Sequence, residues 1–180
     1  MLTKNKYLCL RKIFYLFPET MKKPLIIFYS LEWFTKTIAH IIAEKTWADV
    51  LQIYPKQDIK TGSKLMKYFR WGKQVFMKEV PELKKYTCDL DKYDTIYIGT
   101  PVRAFTYTPA IKAFLKQTEI KNKNLILFCS HEGWPGKALA NLENDLSGNK
   151  IIKSKDFNRR ILEHNKETLE QEIETFLHLK

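Results

Sequence analysis

Several signals that mark familiar classes of protein are missing from this sequence. No apolar run approaches the ~18 residues that a membrane-spanning helix needs. There is no GxGxxG motif for a dedicated nicotinamide-binding domain and no GxSxG nucleophile elbow. The four histidines lack metal-ligand spacing. The three cysteines have no CxxC spacing, and so sparse and odd a count predicts reduced thiols in a cytoplasmic protein rather than a disulfide framework.

The chain also has fewer acidic than basic residues. The chain has 31 Lys and Arg against 20 Asp and Glu, which gives a net charge of +11. Such an excess is compatible with nucleic acid, an anionic membrane surface or an acidic protein partner. The basic residues are scattered, however, and no block of five like charges occurs. We therefore favour a solvated basic surface, with no nucleic acid and no membrane as partner.

The apolar content is sufficient for one packed domain, since 44% of the 180 residues are hydrophobic. Residues 1–20 look separate because they are basic and aromatic without a helical or strand period. They do not resemble a signal peptide, since Arg11 and Lys12 interrupt their short apolar pieces. We expect residues 1–20 to be a loosely packed or non-native extension. Met21 then looks like a natural start for a domain spanning residues 21–180.

Strand and helix patterns alternate from residue 24 onward. Apolar or alternating runs predict strands at 24–30, 48–55, 94–101, 124–130 and 150–158. Amphipathic patterns predict helices at 35–45, 108–118, 133–146 and 165–179, with Thr108 and Asn165 suited to N-terminal capping. Repeated strand–helix units with short connections predict a three-layer α/β fold with helices on both faces of a parallel sheet. Five strands fit the order 2-1-3-4-5 better than a six-stranded dinucleotide-binding fold.

Residues 58–90 interrupt this alternation between the second and third strands. The segment is longer than a plain crossover needs, and residues 64–78 predict a helix broken at Gly72. Aromatic and basic residues interleave there, a pattern that can bind single-stranded nucleic acid. A helix that packs its apolar side beneath a ligand site and directs its lysine stems outward is the simpler interpretation.

Ligands of such sheets bind outside the carboxyl ends of the strands. Three loops of this chain lie there. Residues 30–35 combine two hydroxyl groups with the free amides of a helix start, which favour an anion. Residues 99–105 contain a proline, an arginine and a phenylalanine, and residues 129–136 contain two glycines that can present backbone amides.

With these loops in this order, residues 23–180 resemble the flavodoxin family, and in particular its short bacterial members. The family's phosphate loop, roughly Ser/Thr-x-Ser/Thr-Gly-x-Thr, corresponds to SLEWFT at residues 30–35. The stretch GTPVRAFTYTP resembles the first ring-binding loop, usually GTPVWxxxxxP, and FCSHEGWPGKAL resembles the second. The resemblance implies non-covalently bound FMN and electron transfer. It implies that these residues line the site: Ser30, Leu31, Glu32, Trp33, Phe34, Thr35, Thr100, Pro101, Val102, Arg103, Phe105, Ser130, His131, Glu132, Gly133 and Gly136.

The phosphate loop departs from the family pattern at its centre. Trp33 stands at the glycine position, where glycine takes a positive φ and lets the backbone approach the phosphate. Phe34 stands where asparagine is frequent, and Glu32 brings a carboxylate towards a dianion unless it turns away or pairs with an adjacent lysine. Backbone amides can still bind phosphate. We therefore expect FMN to be held by these amides and by the hydroxyls of Ser30 and Thr35, with both aromatic rings turned away.

Other side chains in the loops allow more than one interpretation. Arg103, in place of the family's aromatic residue, is either stacked on the flavin or a surface arginine. His131 either approaches the flavin or is only hydrogen-bonded, which is commoner for a lone histidine. Ser130, His131 and Glu132 do not form a catalytic triad, because adjacent residues at a strand end point apart. Cys129 is predicted to be an inert core thiol.

Three functions remain open at this point. The protein is an FMN-binding electron carrier, a small FMN-dependent NAD(P)H:quinone-type oxidoreductase, or a flavodoxin-like scaffold that has lost FMN and serves as a binding module. Electron-carrying flavodoxins are typically acidic and dock on basic partners. The net charge of +11 therefore predicts either an acidic redox partner protein or a small-molecule electron acceptor.

Overall fold

The computed structural model of the protein describes residues 22–56 and 80–178. The predictions for residues 1–20 and for a helix at 64–78 lie outside these described residues. The strands are β1 Leu25–Phe28, β2 Asp49–Gln52, β3 Thr95–Pro101, β4 Asn124–His131 and β5 Lys150–Asn158. All pair in parallel, in the order β2–β1–β3–β4–β5. The predicted order 2-1-3-4-5 is therefore confirmed.

The central strands of the sheet are apolar along their length. All four residues of β1 are buried, and Ile27 of β1 pairs with Ile98 of β3. Continuous apolar strands of this kind are typical of a parallel sheet that is covered on both faces. This explains why the runs around Ile27 and Ile98 have no polar alternation.

Helices cover both faces of the sheet. They are α1 Trp33–Thr46, α2 Pro109–Gln117, α3 Ala138–Asp145, the single turn α4 Arg159–Leu162, and α5 Lys166–Leu177. On one face, α1 and α5 bury side chains that include Ile38, Ile42, Ile173 and Phe176. On the other face, α2 and α3 bury side chains that include Ile111, Phe114 and Leu142. Within the described residues, none of the helices has the length and apolar character needed to cross a membrane.

The starts of α1 and α3 differ from the predicted boundaries, α5 ends two residues before its predicted end, and one short α-helix was not predicted. Helix α1 begins two residues early, at Trp33, and α3 begins late, at Ala138, because residues 133–137 form a loop. The turn α4 was not predicted, and the Asn158 side chain caps it by accepting the Arg160 N–H at 3.1 Å. The predicted cap of α5 is confirmed, since Asn165 Oδ1 accepts the backbone N–H at the third helical position.

The described end of the 58–90 segment runs beside the chain that follows β2. Leu83 is buried and pairs with Pro55 in an isolated antiparallel bridge. The Lys84 N–H donates to the Tyr54 carbonyl at 2.7 Å. Residues 80–89 are therefore fastened to the edge of the sheet before the chain enters β3.

Candidate functional site

The carboxyl ends of β1, β3 and β4 lie side by side at one edge of the sheet. We refer to the three connections there as the β1 loop (residues 30–35), the β3 loop (residues 99–105) and the β4 loop (residues 129–136). The strands beneath them approach closely at Gly99, which pairs with Phe128. A Cβ at position 99 would lie 2.1 Å from Phe128 Cζ, so only glycine leaves space for this ring.

The β1 loop leads directly into α1. Glu32 occupies the N-cap position in extended conformation, and Trp33 is the first helical residue. The Ser30 hydroxyl accepts the Lys36 N–H at 3.2 Å and donates to the Glu32 carbonyl, which fixes the turn before the helix. The first amides of an α-helix have no intrahelical acceptor, and the helix dipole adds positive potential there. The start of α1 can therefore hold an anion such as a phosphate group.

The two aromatic residues of the β1 loop have different environments. Trp33 has helical backbone geometry and a half-exposed ring. Phe34 is buried in the core between the sheet and the α1/α5 face, and its ring meets that of Trp33 edge to face at 5.5 Å. Tryptophan at the family's glycine position is therefore not strained in this conformation, and Phe34 offers the site only its backbone. Leu31 is partly buried against the opposite core.

Ser130 joins all three loops. Its hydroxyl lies 2.7 Å from Thr35 Oγ1 of the β1 loop, and its carbonyl accepts the Val102 N–H of the β3 loop at 2.8 Å. Thr35 is only 2% exposed, so its hydroxyl belongs to the buried base of the site. The sequence predicted the hydroxyls of Ser30 and Thr35 as phosphate ligands. In the structure the Thr35 hydroxyl bonds to Ser130, and the Ser30 hydroxyl bonds to the backbone of Glu32 and Lys36.

The β3 loop begins with buried polar contacts. Thr100 Oγ1 lies 3.0 Å from Thr108 Oγ1 and accepts the Thr108 N–H at 3.1 Å. These bonds fasten the end of β3 to the start of α2, so Thr108 is the N-cap residue by position while its hydroxyl bonds across the loop. Pro101 ends the strand. Thr100 is fully buried and therefore supports the site from beneath.

Beyond Pro101 the β3 loop makes a tight hairpin. Arg103 and Thr106 exchange two backbone hydrogen bonds of 2.7 and 2.9 Å. Between them, Ala104 and Phe105 have φ values of 43° and 65°. Two positive φ angles define a type I′ turn, which normally uses asparagine and glycine. This strained turn places the Phe105 side chain at the surface, where it is 71% exposed.

The β4 loop holds this turn in place. The Lys137 N–H donates to the Phe105 carbonyl at 2.7 Å. Gly136 has a φ of 57°, and a Cβ there would lie 2.5 Å from the Phe105 carbonyl oxygen. The β3 and β4 loops therefore form one unit. Trp134, two residues before Gly136, is 74% exposed, and Gly133 beside it is also exposed.

His131 is the last residue of β4, and only one of its two ring nitrogens has a hydrogen-bond partner among the described residues. Its Nε2 lies 2.9 Å from Asp156 Oδ2, while the side chain is only 4% exposed. Among the residues that the structure describes, Nδ1 is buried and has no hydrogen-bond partner. Since a carboxylate only accepts, Nε2 carries the proton of this bond, which leaves Nδ1 as the buried ring nitrogen that can bond to a ligand. The structure shows the predicted hydrogen bond of His131, and its approach to a flavin stays a prediction.

Arg159 at the start of α4 binds carboxylates from three segments. Its Nη1 contacts Glu32 of the β1 loop and lies 3.1 Å from Glu132 Oε1 of the β4 loop. Its Nε lies 2.6 Å from Glu163 Oε2, and its Cζ lies 5.4 Å from the centre of the Trp33 ring. Partial burial lowers the pKa of this guanidinium, but hydrogen bonds and charge from Glu163 and Glu32 outweigh it, so the net shift of the pKa is upward.

The sequence predicted that Glu32 turns away or pairs with an adjacent lysine, and its contact with Arg159 was missed. The position of Arg159 was nevertheless recognisable, because it follows the carboxyl end of β5, where ligand-binding loops of these sheets also lie. Ser130, His131 and Glu132 bond to Thr35, Asp156 and Arg159 respectively, which confirms that they do not form a triad.

Cys129 is buried in the core, as predicted. Burial first, and then the charge of Asp156, raise the pKa of its thiol to about 12. Such a thiol is not a nucleophile at neutral pH. Within residues 22–56 and 80–178, no group of three or more acidic, histidine or cysteine residues is arranged to hold a metal ion.

Comparison with known families agrees with this geometry. The sequence profile described as Flavodoxin matches residues 23–175. The chain therefore belongs to the flavodoxin family, as the three loop motifs predicted. Among curated proteins, none matches the sequence significantly.

Solved structures share the fold. A candidate flavoprotein from Bacteroides eggerthii gives a TM-score of 0.73 at 21% identity, over 87% of this chain and 96% of that one. A candidate flavoprotein from Bacteroides uniformis gives 0.72 at 23% identity, over 86% and 99%. A flavoprotein from Lactobacillus acidophilus, solved in complex with FMN, gives 0.66 at 20% identity, over 81% and 99%. At these identities the likeness is one of fold.

Proposed function

We propose that this protein binds FMN without covalent attachment at the carboxyl ends of β1, β3 and β4, and that it transfers electrons through the flavin. The observation that carries the proposal is the junction at Ser130, which brings the start of α1 and the two ring-binding loops to one edge of the sheet. Membership of the flavodoxin family and the FMN complex of a protein with the same fold support the choice of cofactor.

The residues present fit the chemical parts of FMN. The amides at the start of α1 suit the phosphate group. Phe105 and Trp134 are large exposed rings on two loops joined by a backbone hydrogen bond, and such rings suit a planar aromatic ligand. The buried His131 Nδ1 suits a polar group of the ligand as its hydrogen-bond partner. When bound, the flavin supplies the ability to accept and release electrons, which none of these side chains has.

The charge of the chain bears on its partners. With a net charge of +11, docking on an acidic redox protein is favoured and docking on a basic one is opposed. A small-molecule electron acceptor does not dock through a large charged surface, so the net charge of the chain does not restrict its chemistry. We propose an acidic protein or a small acceptor as the electron partner.

The test is a titration of FMN with the purified protein, followed by quenching of flavin fluorescence. Trp134→Ala should weaken binding, because it removes an exposed ring from the β4 loop. The matched control is Trp47→Ala. Trp47 is 65% exposed but follows the far end of α1, so its loss should leave FMN affinity unchanged. Absence of quenching by the wild-type protein would reject the proposal in favour of a scaffold without FMN.

A second measurement separates the electron carrier from the oxidoreductase. The FMN-loaded protein is mixed with NADH or NADPH in the absence of oxygen and of other proteins, and flavin absorbance is recorded. An electron carrier should stay oxidised until a reductase is added. Rapid bleaching by the nicotinamide alone would identify an NAD(P)H-dependent oxidoreductase instead.

A further inference from the structure

The start of α1 has an unusual charge balance for a site that holds a phosphate group. Glu32 stands at the N-cap, and Glu132 of the neighbouring β4 loop contacts the same guanidinium. Two carboxylates at this position oppose a dianion by Coulomb repulsion, which is stronger at a partly buried site than in water. A helix start with these neighbours and no nearby cation would reject a phosphate.

Arg159 is the cation that contacts both carboxylates. It is held from several sides, since Glu163 binds Nε and the centre of the Trp33 ring lies 5.4 Å from Cζ. Its side chain is largely buried, with 22% exposure, so its charge is less screened than that of a surface arginine. Its hydrogen bonds to the three carboxylates come from Nε and Nη1.

We propose that Arg159 determines specificity for the phosphorylated flavin. Its positive charge offsets part of the repulsion from Glu32 and Glu132, so that the start of α1 accepts the phosphate monoester of FMN more readily than it would without this guanidinium. Riboflavin carries the same ring and side chain without the phosphate, and its binding does not depend on Arg159. The inference rests on the proposed FMN-binding function and assigns a role in it to a residue outside the three loops.

The test compares the dissociation constants of FMN and riboflavin for a set of variants. Arg159→Gln should lower the preference for FMN over riboflavin by about tenfold or more, the range expected for loss of a charge-assisted interaction. Riboflavin affinity should stay unchanged. The matched control is Arg160→Gln, which removes the same charge from the next residue of α4, where the side chain is exposed. It should change the preference by less than about twofold, as for a screened surface charge.

Substitution of the opposing carboxylate of Glu32 gives a second, independent test. Glu32→Gln should strengthen FMN binding and leave riboflavin binding unchanged. Combined with Arg159→Gln, it should restore part of the lost preference, because one of the two opposing carboxylates is then absent while Glu132 remains. Arg159→Lys should retain part of the preference, since it keeps the charge and loses the fixed plane.

The outcomes separate the two proposals. If the wild-type protein binds neither flavin, the proposed function fails and this inference fails with it. If it binds FMN, but Arg159→Gln leaves the preference unchanged or Arg160→Gln lowers it equally, only the role of Arg159 is overturned. If the Arg159→Gln variant does not fold, the Glu32→Gln variant is the remaining test. An unchanged preference for FMN over riboflavin in that variant rejects the inference.

Discussion

The hydroxyl oxygens of Thr35 and Ser130 lie 2.7 Å apart in the buried base of the site. Thr35→Val keeps the shape of the side chain and removes its hydroxyl, which leaves the Ser130 hydroxyl without this partner. We expect a loss of about 1–3 kcal/mol in the free energy of unfolding, the usual cost of an unsatisfied buried polar group. Weaker FMN binding should accompany it. Urea unfolding and flavin titration measure the two effects.

Thr35→Ser is the control for this substitution because it keeps the hydroxyl and removes only the methyl group. It should retain most of the stability and the affinity. A loss in the serine variant together with no loss in the valine variant would show that packing of the methyl group matters here, and not the hydrogen bond.

Gly136→Ala should destabilise the junction of the β3 and β4 loops. The added Cβ would meet the Phe105 backbone at 2.5 Å, and alanine would have to adopt a φ of 57°. We expect a loss of about 1–3 kcal/mol by urea unfolding. Gly148→Ala is the matched control, since no described atom lies within 4 Å of its Cβ. Equal stability of the two variants would contradict the close approach.

Gly99→Ala should be more damaging, because β3 and β4 cannot separate without breaking the sheet. The new methyl group would overlap the ring of Phe128, with a Cβ–Cζ distance of 2.1 Å. Overpacking of this kind costs about 1–3 kcal/mol or more. Adding Phe128→Leu should recover part of the loss in the double variant. Strictly additive effects in a double-mutant cycle would refute the contact.

Cys129 should make stability fall at high pH. The unfolded chain releases its thiol proton near the ordinary pKa of 9.0, whereas the folded protein keeps it until the pKa of about 12. This contribution is therefore complete below pH 9 and is lost as the pH rises towards 12, with a slope approaching about 1.4 kcal/mol per pH unit. Burial and a hydrogen bond to Asp145 also raise the pKa of Tyr107. The contribution of Tyr107 to the free energy of unfolding is therefore also lost as the pH rises.

Comparison with Cys129→Ala isolates the thiol from the tyrosine. Urea unfolding at about pH 8 and at about pH 10 should show a smaller loss of stability in the alanine variant. A thiol reagent should label Cys129 of the native wild-type protein only after denaturant is added. Parallel pH profiles for the two proteins would show that the Cys129 thiol does not ionise differently in the folded state.

The fold was predictable because its determinants are local. Each central strand carries its own apolar run, and Pro109 and Asn165 mark helix starts within the sequence itself. The predicted alternation therefore matched the observed strands closely. The short helix α4 was missed because four residues are too few to show a period, although its cap, Asn158, was present in the sequence.

The site was only partly predictable because its key contacts join distant residues. The three loops were identified, but no local pattern connects Glu32 with Arg159 or shows that Phe34 belongs to the core. Replacing Phe34 with the family's asparagine would put an amide into an apolar environment, so a change that looks like restoration in the sequence should destabilise the protein. The type I′ turn at Ala104 and Phe105 was hidden because its residues are atypical for that turn.

The separation of these contacts along the chain determines when the site can exist. Thr35 and Ser130 are 95 residues apart, and Glu32 and Arg159 are 127 apart. During synthesis, a ribosome must release nearly the whole domain before the two sides of the site can meet. Cofactor loading is then one of the last events in the maturation of the protein. A ligand bound there stabilises the entire sheet, in proportion to the logarithm of its free concentration.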